Sequence, residues 1–202
     1  MQITIISGSH RPHSQSEKVA HYVESVLTQQ GIKAEVYSLA GNPLPLWDES
    51  LGENNPEWTA RLTPLFAQLA ASDGFVIISP EWHGQVPAGL KNFFLLCGQN
   101  EVGHKPALIM AVSSSTGGAY PVAELRMSSY KNNRICYLPE HIIIRQVTSV
   151  LNDDVSTNDP TADRYYRDRI QWALSILEHY ARALAPVRAA GGLFNEEFRN
   201  GM

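Results

Sequence analysis

The apolar and polar positions of the chain switch repeatedly between two periods. Ile3–Ile6 is a short apolar run of strand length, and Lys18–Gln29 then sets Val19, Tyr22, Val23, Val26 and Leu27 at helical spacing. Gly31 stands where a helix would be ended by a C′ residue. Lys33–Leu39 alternates as a second strand, and Glu57–Ala71 gathers Leu62, Leu65, Phe66 and Leu69 on one helical face. Phe75–Ser79 is nearly continuously apolar, the pattern of a strand covered on both faces. The spacing then predicts a short helix at Pro87–Leu96, a strand at Ala107–Ser113, a helix at Ala119–Tyr130 and a strand at Arg134–Ile144. The last and longest helix, Asp163–Leu184, follows a polar stretch (Asn152–Thr161) and is expected to close at Pro186. That leaves residues 1–186 as the folded domain. Residues 187–202, rich in Gly, Asn and charge, read as a mobile tail.

Five strand–helix repeats in a row, with uniformly apolar central strands, predict an α/β doubly wound parallel sheet. Right-handed crossovers put helices on both of its faces. Ligands of such sheets sit outside the carboxyl ends of the strands, so the loops leaving strands one, three and four matter most. All three hold unusual residues.

Composition narrows the class. A chain of 202 residues with no composition break suits one domain, and 44% hydrophobic with 18% charged residues excludes an intrinsically disordered chain. No apolar run approaches the roughly 20 residues of a membrane-spanning helix. Met1–Thr4 leads straight into a strand pattern without a charged leader, so no secretion is expected. Two distant cysteines, Cys97 and Cys136, read as a reduced cytoplasmic protein. A net charge of −4 argues against binding a nucleic-acid backbone, while leaving room for one local basic site.

The first loop reads Ser7-Gly8-Ser9-His10-Arg11-Pro12-His13-Ser14-Gln15-Ser16, between a strand and a helix. A phosphate needs converging donors and a partly compensating cation. Helix-start N–H groups, the hydroxyls of Ser9, Ser14 and Ser16 and the guanidinium of Arg11 can supply them. Helix capping is the alternative reading, because Ser14-Gln15-Ser16-Glu17 fits a capping box. Capping accounts for Ser14 and Glu17 but not for Ser9, Arg11 and Ser16 together. No G-x-G-x-x-G follows the first strand, which weakens a dinucleotide reading. In the third loop, Ser79-Pro80-Glu81-Trp82-His83-Gly84-Gln85-Val86-Pro87, two prolines hold the backbone away from helix. Trp82 offers a flat apolar face for a ring system and His83 a polar edge. Lys91 and Asn92 beyond it are as well read as a solvated face or a cap as ligand contacts. In the fourth loop, Ser113-Ser114-Ser115-Thr116-Gly117-Gly118, small residues let backbone amides come close to a ligand edge. A flexible connection is the plain alternative. His10 and His13 lack the carboxylate or cysteine partners of a metal site, so no metal is expected.

Gly8-Ser9-x-Arg11-x-x-Ser14-x-Ser16, Ser79-Pro80-Glu81-Trp82-His83-Gly84 with Pro87-x-Gly89-Leu90-Lys91-Asn92, and Ser114…Gly117-Gly118-Ala119 together resemble the NADPH-dependent FMN reductase family. That family includes quinone, chromate and azo-dye reductases, and Leu44-Pro45-Leu46-Trp47-Asp48 resembles its segment after the second strand. The resemblance implies a flavodoxin-like five-stranded sheet in the order 2-1-3-4-5. It also implies FMN as cofactor, with its phosphate on Ser9, Arg11, Ser14 and Ser16. The flavin ring would lie against Pro80, Glu81, Trp82, His83 and Gly84, with Ser113, Ser114, Thr116, Gly117 and Gly118 along its other edge. NADPH or NADH would deliver hydride to the flavin, and a quinone, azo dye, metal oxyanion or free FMN would then take it from the same face. The flavin carries that chemistry, so no obligatory acid–base side chain is implied, although His83 could donate a proton to an acceptor. A homodimer or homotetramer is also implied. The chain departs from the family at Trp82-His83, where Tyr-Asn is usual, and at Tyr120, where Arg is common. The rival functions are an FMN-binding electron carrier of the flavodoxin type and a flavin-binding regulatory protein; a carrier needs a strongly charged docking face, for which −4 is weak support.

Overall fold

The computed structural model describes residues 1–52 and 55–201. Its strands are β1 (Gln2–Ser7), β2 (Lys33–Ser38), β3 (Gly74–Pro80), β4 (Pro106–Val112) and β5 (Cys136–Ile144). All neighbours pair in parallel, in the order β2-β1-β3-β4-β5. The helices are α1 (Gln15–Gln29), α2 (Pro56–Ala71), α3 (Ala88–Leu96), the single turn α4 (Gln99–Val102), α5 (Ala119–Ser128) and α6 (Pro160–Ala189).

The central strands read as continuous apolar runs because successive side chains serve different cores. Ile3, Ile5, Val76, Ile78, Leu108 and Met110 pack with α1 and α6 on one face of the sheet. Ile6, Phe75, Ile77, Ala107, Ile109 and Ala111 pack with α2, α3 and α5 on the other. Phe75 is fully buried, and truncating a buried aromatic of this kind costs about 3–5 kcal/mol. The edge strand β5 accommodates an exposed Pro139 where its register with β4 shifts between Ala107 and Ile109.

Several boundaries differ from expectation, and three of them have a local cause. The fifth strand begins at Cys136 rather than Arg134, because Arg134 takes a left-handed conformation with φ of 61°. The last helix starts at Pro160, where Asp159 caps the N–H groups of Thr161 and Ala162 and proline fills the first turn. It also runs through Pro186 to Ala189 instead of closing there. So close to the helix end a proline removes one hydrogen bond and leaves little helix beyond it to disturb. Beyond α6, Arg134 Nη2 donates to the carbonyl of Phe198 (2.8 Å) and Gly201 N–H to Asn132 Oδ1 (3.1 Å), which ties the tail to the α5–β5 connection.

Candidate functional site

Strand β1 ends at Ser7, and the chain must then pass close to β3 to enter α1. Gly8 makes that passage: its N–H donates to the Ile78 carbonyl (2.8 Å), and a Cβ on it would lie 2.5 Å from the same oxygen and 2.7 Å from Leu90 Cδ2. The loop then carries Ser9, buried, and Arg11, exposed, to the start of α1. Ser14 is the N-cap, its Oγ accepting the Glu17 N–H at 3.1 Å, so the capping reading holds for this residue. The cap consumes only a lone pair and leaves the hydroxyl proton for another acceptor. Ser9 Oγ likewise accepts the Arg11 N–H at 3.3 Å. Ser16 is only 1% exposed, and its Oγ has no hydrogen-bond partner, nor has Gln15 Oε1 beside it.

These groups open onto a cavity of about 330 Å³ lined by Ser9, Arg11, Ser14, Ser16, Glu81 and Ser114, among others. Pro80, Trp82, His13, Gln15, Val112, Val147 and Thr148 complete its wall. A second, more open cavity of about 570 Å³ adjoins it, sharing Arg11, Glu81 and Trp82 and adding His10 and His83. His10 meets the Trp82 indole edge-on with centroids 4.5 Å apart. The structure therefore joins the first and third loops.

The third loop folds back on itself at Trp82–Gln85, whose backbones exchange hydrogen bonds of 3.1 and 2.9 Å. His83 and Gly84, with φ of 50° and 73°, are both left-handed, as a type I′ turn requires. Histidine tolerates that region better than most residues, so His83 keeps the turn that Asn-Gly would make. Tyr120 is exposed, and its ring lies 3.8 Å from where a Cβ on Gly84 would be, at the rim of this loop.

Ser113, Thr116, Gly117 and Gly118 do not line either cavity; they reach it through other residues. The Gly118 N–H donates to Glu81 Oε2 at 2.6 Å, and a Cβ on Gly117 would stand 2.7 Å from Glu81 Oε1. Only glycine lets the loops approach this closely. Ser113 is tied to the end of β5, donating to the Ile144 carbonyl and accepting from Val147 N–H. Lys91 and Asn92 serve the fold: Lys91 pairs with Glu124 at 2.6 Å. Asn92 grips the Leu44–Asp48 segment through Trp47 N–H (2.7 Å) and the Pro45 carbonyl (2.8 Å).

Val147 and Thr148 line the first cavity without having been expected there, and Lys18 holds the segment that carries them. The Lys18 ammonium donates to the carbonyls of Val147 (2.6 Å) and Val150 (2.8 Å) and to Asn152 Oδ1 (2.7 Å). It thus fastens the connection after β5 against α1, beside the first loop. Burial lowers its pKa, opposed by the charges of Asp163 and Asp153. Its place in α1 carries no motif; a lysine on a helix facing a loop distant in sequence is visible only in the fold.

A doubly wound sheet whose first loop gathers donors around a cavity, beside a second cavity walled by an indole, defines an α/β protein that binds a nucleotide-like cofactor. The comparisons agree and go further. The model of the NADPH-dependent FMN reductase family matches residues 1–149, and the chain belongs to that family. It is 25% identical over 144 residues to the NADPH azoreductase of Bacillus sp. (strain OY1-2), covering 71% of this chain and 76% of the relative. It is 24% identical over 186 residues to the 2-hydroxy-1,4-benzoquinone reductase of Burkholderia sp., covering 90% and 94%. Among solved structures, the flavoenzyme NAD(P)H:(acceptor) oxidoreductase FerB of Paracoccus denitrificans superposes with a TM-score of 0.68 at 19% identity, covering 91% of this chain and 96% of that one. The cofactor is FMN, the hydride donor NAD(P)H, and the reaction class FMN-dependent oxidoreduction.

The residues present fit FMN. The unpartnered Ser16 hydroxyl is buried among phosphate-suited donors on the first cavity.

Proposed function

We propose that the cavity at the α1 N-terminus takes the FMN phosphate, that the adjoining cavity takes the flavin ring, and that the electron acceptor is a small planar quinone-like molecule. The observation that carries the phosphate assignment is the buried, unpartnered Ser16 Oγ facing the same cavity as Arg11. A buried hydroxyl without a partner costs about 1–3 kcal/mol, and a phosphate oxygen would relieve that cost. Ser9, Ser14 and Ser16 would donate hydroxyl protons to the phosphate, as would N–H groups at the start of α1, and Arg11 would offset its charge. FMN, when bound, would supply the two-electron redox chemistry between NAD(P)H and the acceptor. Trp82 and His10 wall the ring cavity on one side. Its open side admits the nicotinamide and the acceptor in turn, and His83 stands at that opening as a proton donor to a reduced acceptor. By their names, one relative above is an azoreductase and the other a benzoquinone reductase, and the second supports the quinone-like acceptor.

The same reading includes a homodimer. Leu95, Tyr120, Met127 and Tyr130 are exposed at 62%, 68%, 74% and 46%. Leu95 lines a groove of about 460 Å³ between α3 and α5 that reaches Val86 of the third loop, and Tyr120 and Met127 lie on α5 with Tyr130 just beyond it. A second copy placed there would bring its surface to the rim of the flavin site. Met127→Asp should shift the protein to a monomer in sedimentation velocity. The free Cys97 and Cys136 fit a reducing, cytoplasmic setting.

Steady-state turnover tests the function. The FMN-loaded protein should oxidise NADPH or NADH in the presence of benzoquinone. No oxidation of either nucleotide would overturn the reductase reading.

A further inference from the structure

Arg145 follows the last residue of β5 and contributes to neither cavity. Its Nε donates to two successive backbone carbonyls of the fourth loop, Thr116 at 2.7 Å and Gly117 at 3.1 Å. Because a trans peptide is planar, each carbonyl points opposite to the N–H of the next residue. Drawing both carbonyls toward Arg145 therefore turns the N–H groups of Gly117 and Gly118 the other way. The Gly118 N–H confirms this, since it meets Glu81 Oε2 from the third loop at 2.6 Å. The Gly117 N–H points to the same side, and among the described residues it has no partner.

The rest of the β5 end is built to hold Arg145 in place. Its own N–H donates to Tyr166 Oη of α6 at 3.0 Å. The next two residues grip the same loop, Gln146 N–H to the Ser115 carbonyl (3.0 Å) and Val147 N–H to the Ser113 carbonyl (3.1 Å). Gln146 adopts a left-handed conformation, φ 48°, to do so.

We propose that Arg145 is a positioning residue for the flavin: with Glu81, which lines both cavities, it clamps two peptide planes of the fourth loop so that the unpartnered Gly117 N–H is held on the flavin side of that loop. Resting on the assignment of these loops to FMN, it adds a residue in contact with neither cavity. An N–H aimed at the flavin favours the reduced, more negative form, so the clamp acts on the redox potential as well as on affinity. A staple that merely steadied the fold would leave the potential of the bound flavin unchanged.

The test measures FMN affinity of the apoprotein, the midpoint potential of the bound flavin and the unfolding midpoint of the apoprotein, for wild type, R145A, R145K and R11A. In R145A, FMN should bind roughly tenfold more weakly and the potential should fall, with apoprotein unfolding unchanged. R145K, which retains a donor and the charge, should recover most of both losses. Wild-type affinity and potential in R145A, with R11A weakened, would overturn the clamp and spare the assignment of the loops. Weaker binding in R145A with an unchanged potential would reduce Arg145 to a structural staple and equally overturn it. Unchanged affinity in R11A would remove the assignment itself, and the clamp with it.

Discussion

At the N-terminal edge of the sheet, Lys105 is 5% exposed, and its ammonium donates to the carbonyls of Leu69 (2.7 Å), Ala70 (2.8 Å) and Glu101 (2.8 Å). At the opposite edge, Ser16 is buried as deeply with no partner for its hydroxyl. The first arrangement is complete: three donors, three acceptors, and the exposed end of α2 capped. Polar groups at one end of the strands hold the fold, while at the other end the unpartnered Ser16 hydroxyl faces the cavity that we propose takes the FMN phosphate.

Substitutions at the two edges should therefore separate stability from cofactor affinity. The largest effect is expected for Lys105→Met, which keeps the bulk of the side chain but orphans three carbonyls. Urea unfolding of the apoprotein should show a loss of about 3 kcal/mol, while FMN affinity of the folded protein stays unchanged. Arg11→Ala should do the reverse, weakening FMN by about 1.5–3 kcal/mol in a titration and leaving apoprotein stability within about 0.5 kcal/mol. Ser16→Ala should cost about 1 kcal/mol of FMN affinity and leave the apoprotein as stable or slightly more so, because it removes a buried group without a partner.

The pH dependence gives a further test. Burial, reinforced by the nearby Arg188 charge, lowers the Lys105 pKa from 10.5 to about 8, against the pull of Asp73 and Glu101. Between about pH 8 and 10 the unfolded chain keeps this proton while the folded chain gives it up, so this group makes the fold more stable as pH rises. Above pH 10 the sign reverses. Burial raises the phenol pKa values of Tyr22, Tyr37 and Tyr137, so unfolded tyrosines ionise first and stability falls. The difference in unfolding free energy between wild type and Lys105→Met, measured by urea at pH 8 and pH 10, should therefore widen with pH. A constant difference would mean that Lys105 does not titrate in that window.

The same two edges show what could be read without the fold. The five strands were legible because a parallel sheet covered on both faces forces long apolar runs such as Phe75–Ser79, and Ser14 was legible as a cap from local chemistry alone. The first and third loops declared themselves through clustered hydroxyls, an arginine and a tryptophan that neither helix nor strand needs. Arg145, Val147 and Thr148 did not, because their roles depend on where β5 ends relative to β4. Lys105 was equally silent: a lysine before an apolar strand reads as a solvated flank until the C-terminus of α2 is placed over it. The run of α6 through Pro186 is not legible either, because a proline this near a helix end disturbs little helix beyond it.

The central claim is that the α1 N-terminal cavity holds a phosphate. It is tested most directly by titrating the apoprotein with FMN and, separately, with riboflavin, which has the same ring and no phosphate, using flavin fluorescence. Several charge-assisted bonds to the phosphate predict that FMN binds at least about a hundredfold more tightly, and that Arg11→Ala narrows this gap. Equal affinities for the two flavins would contradict the account.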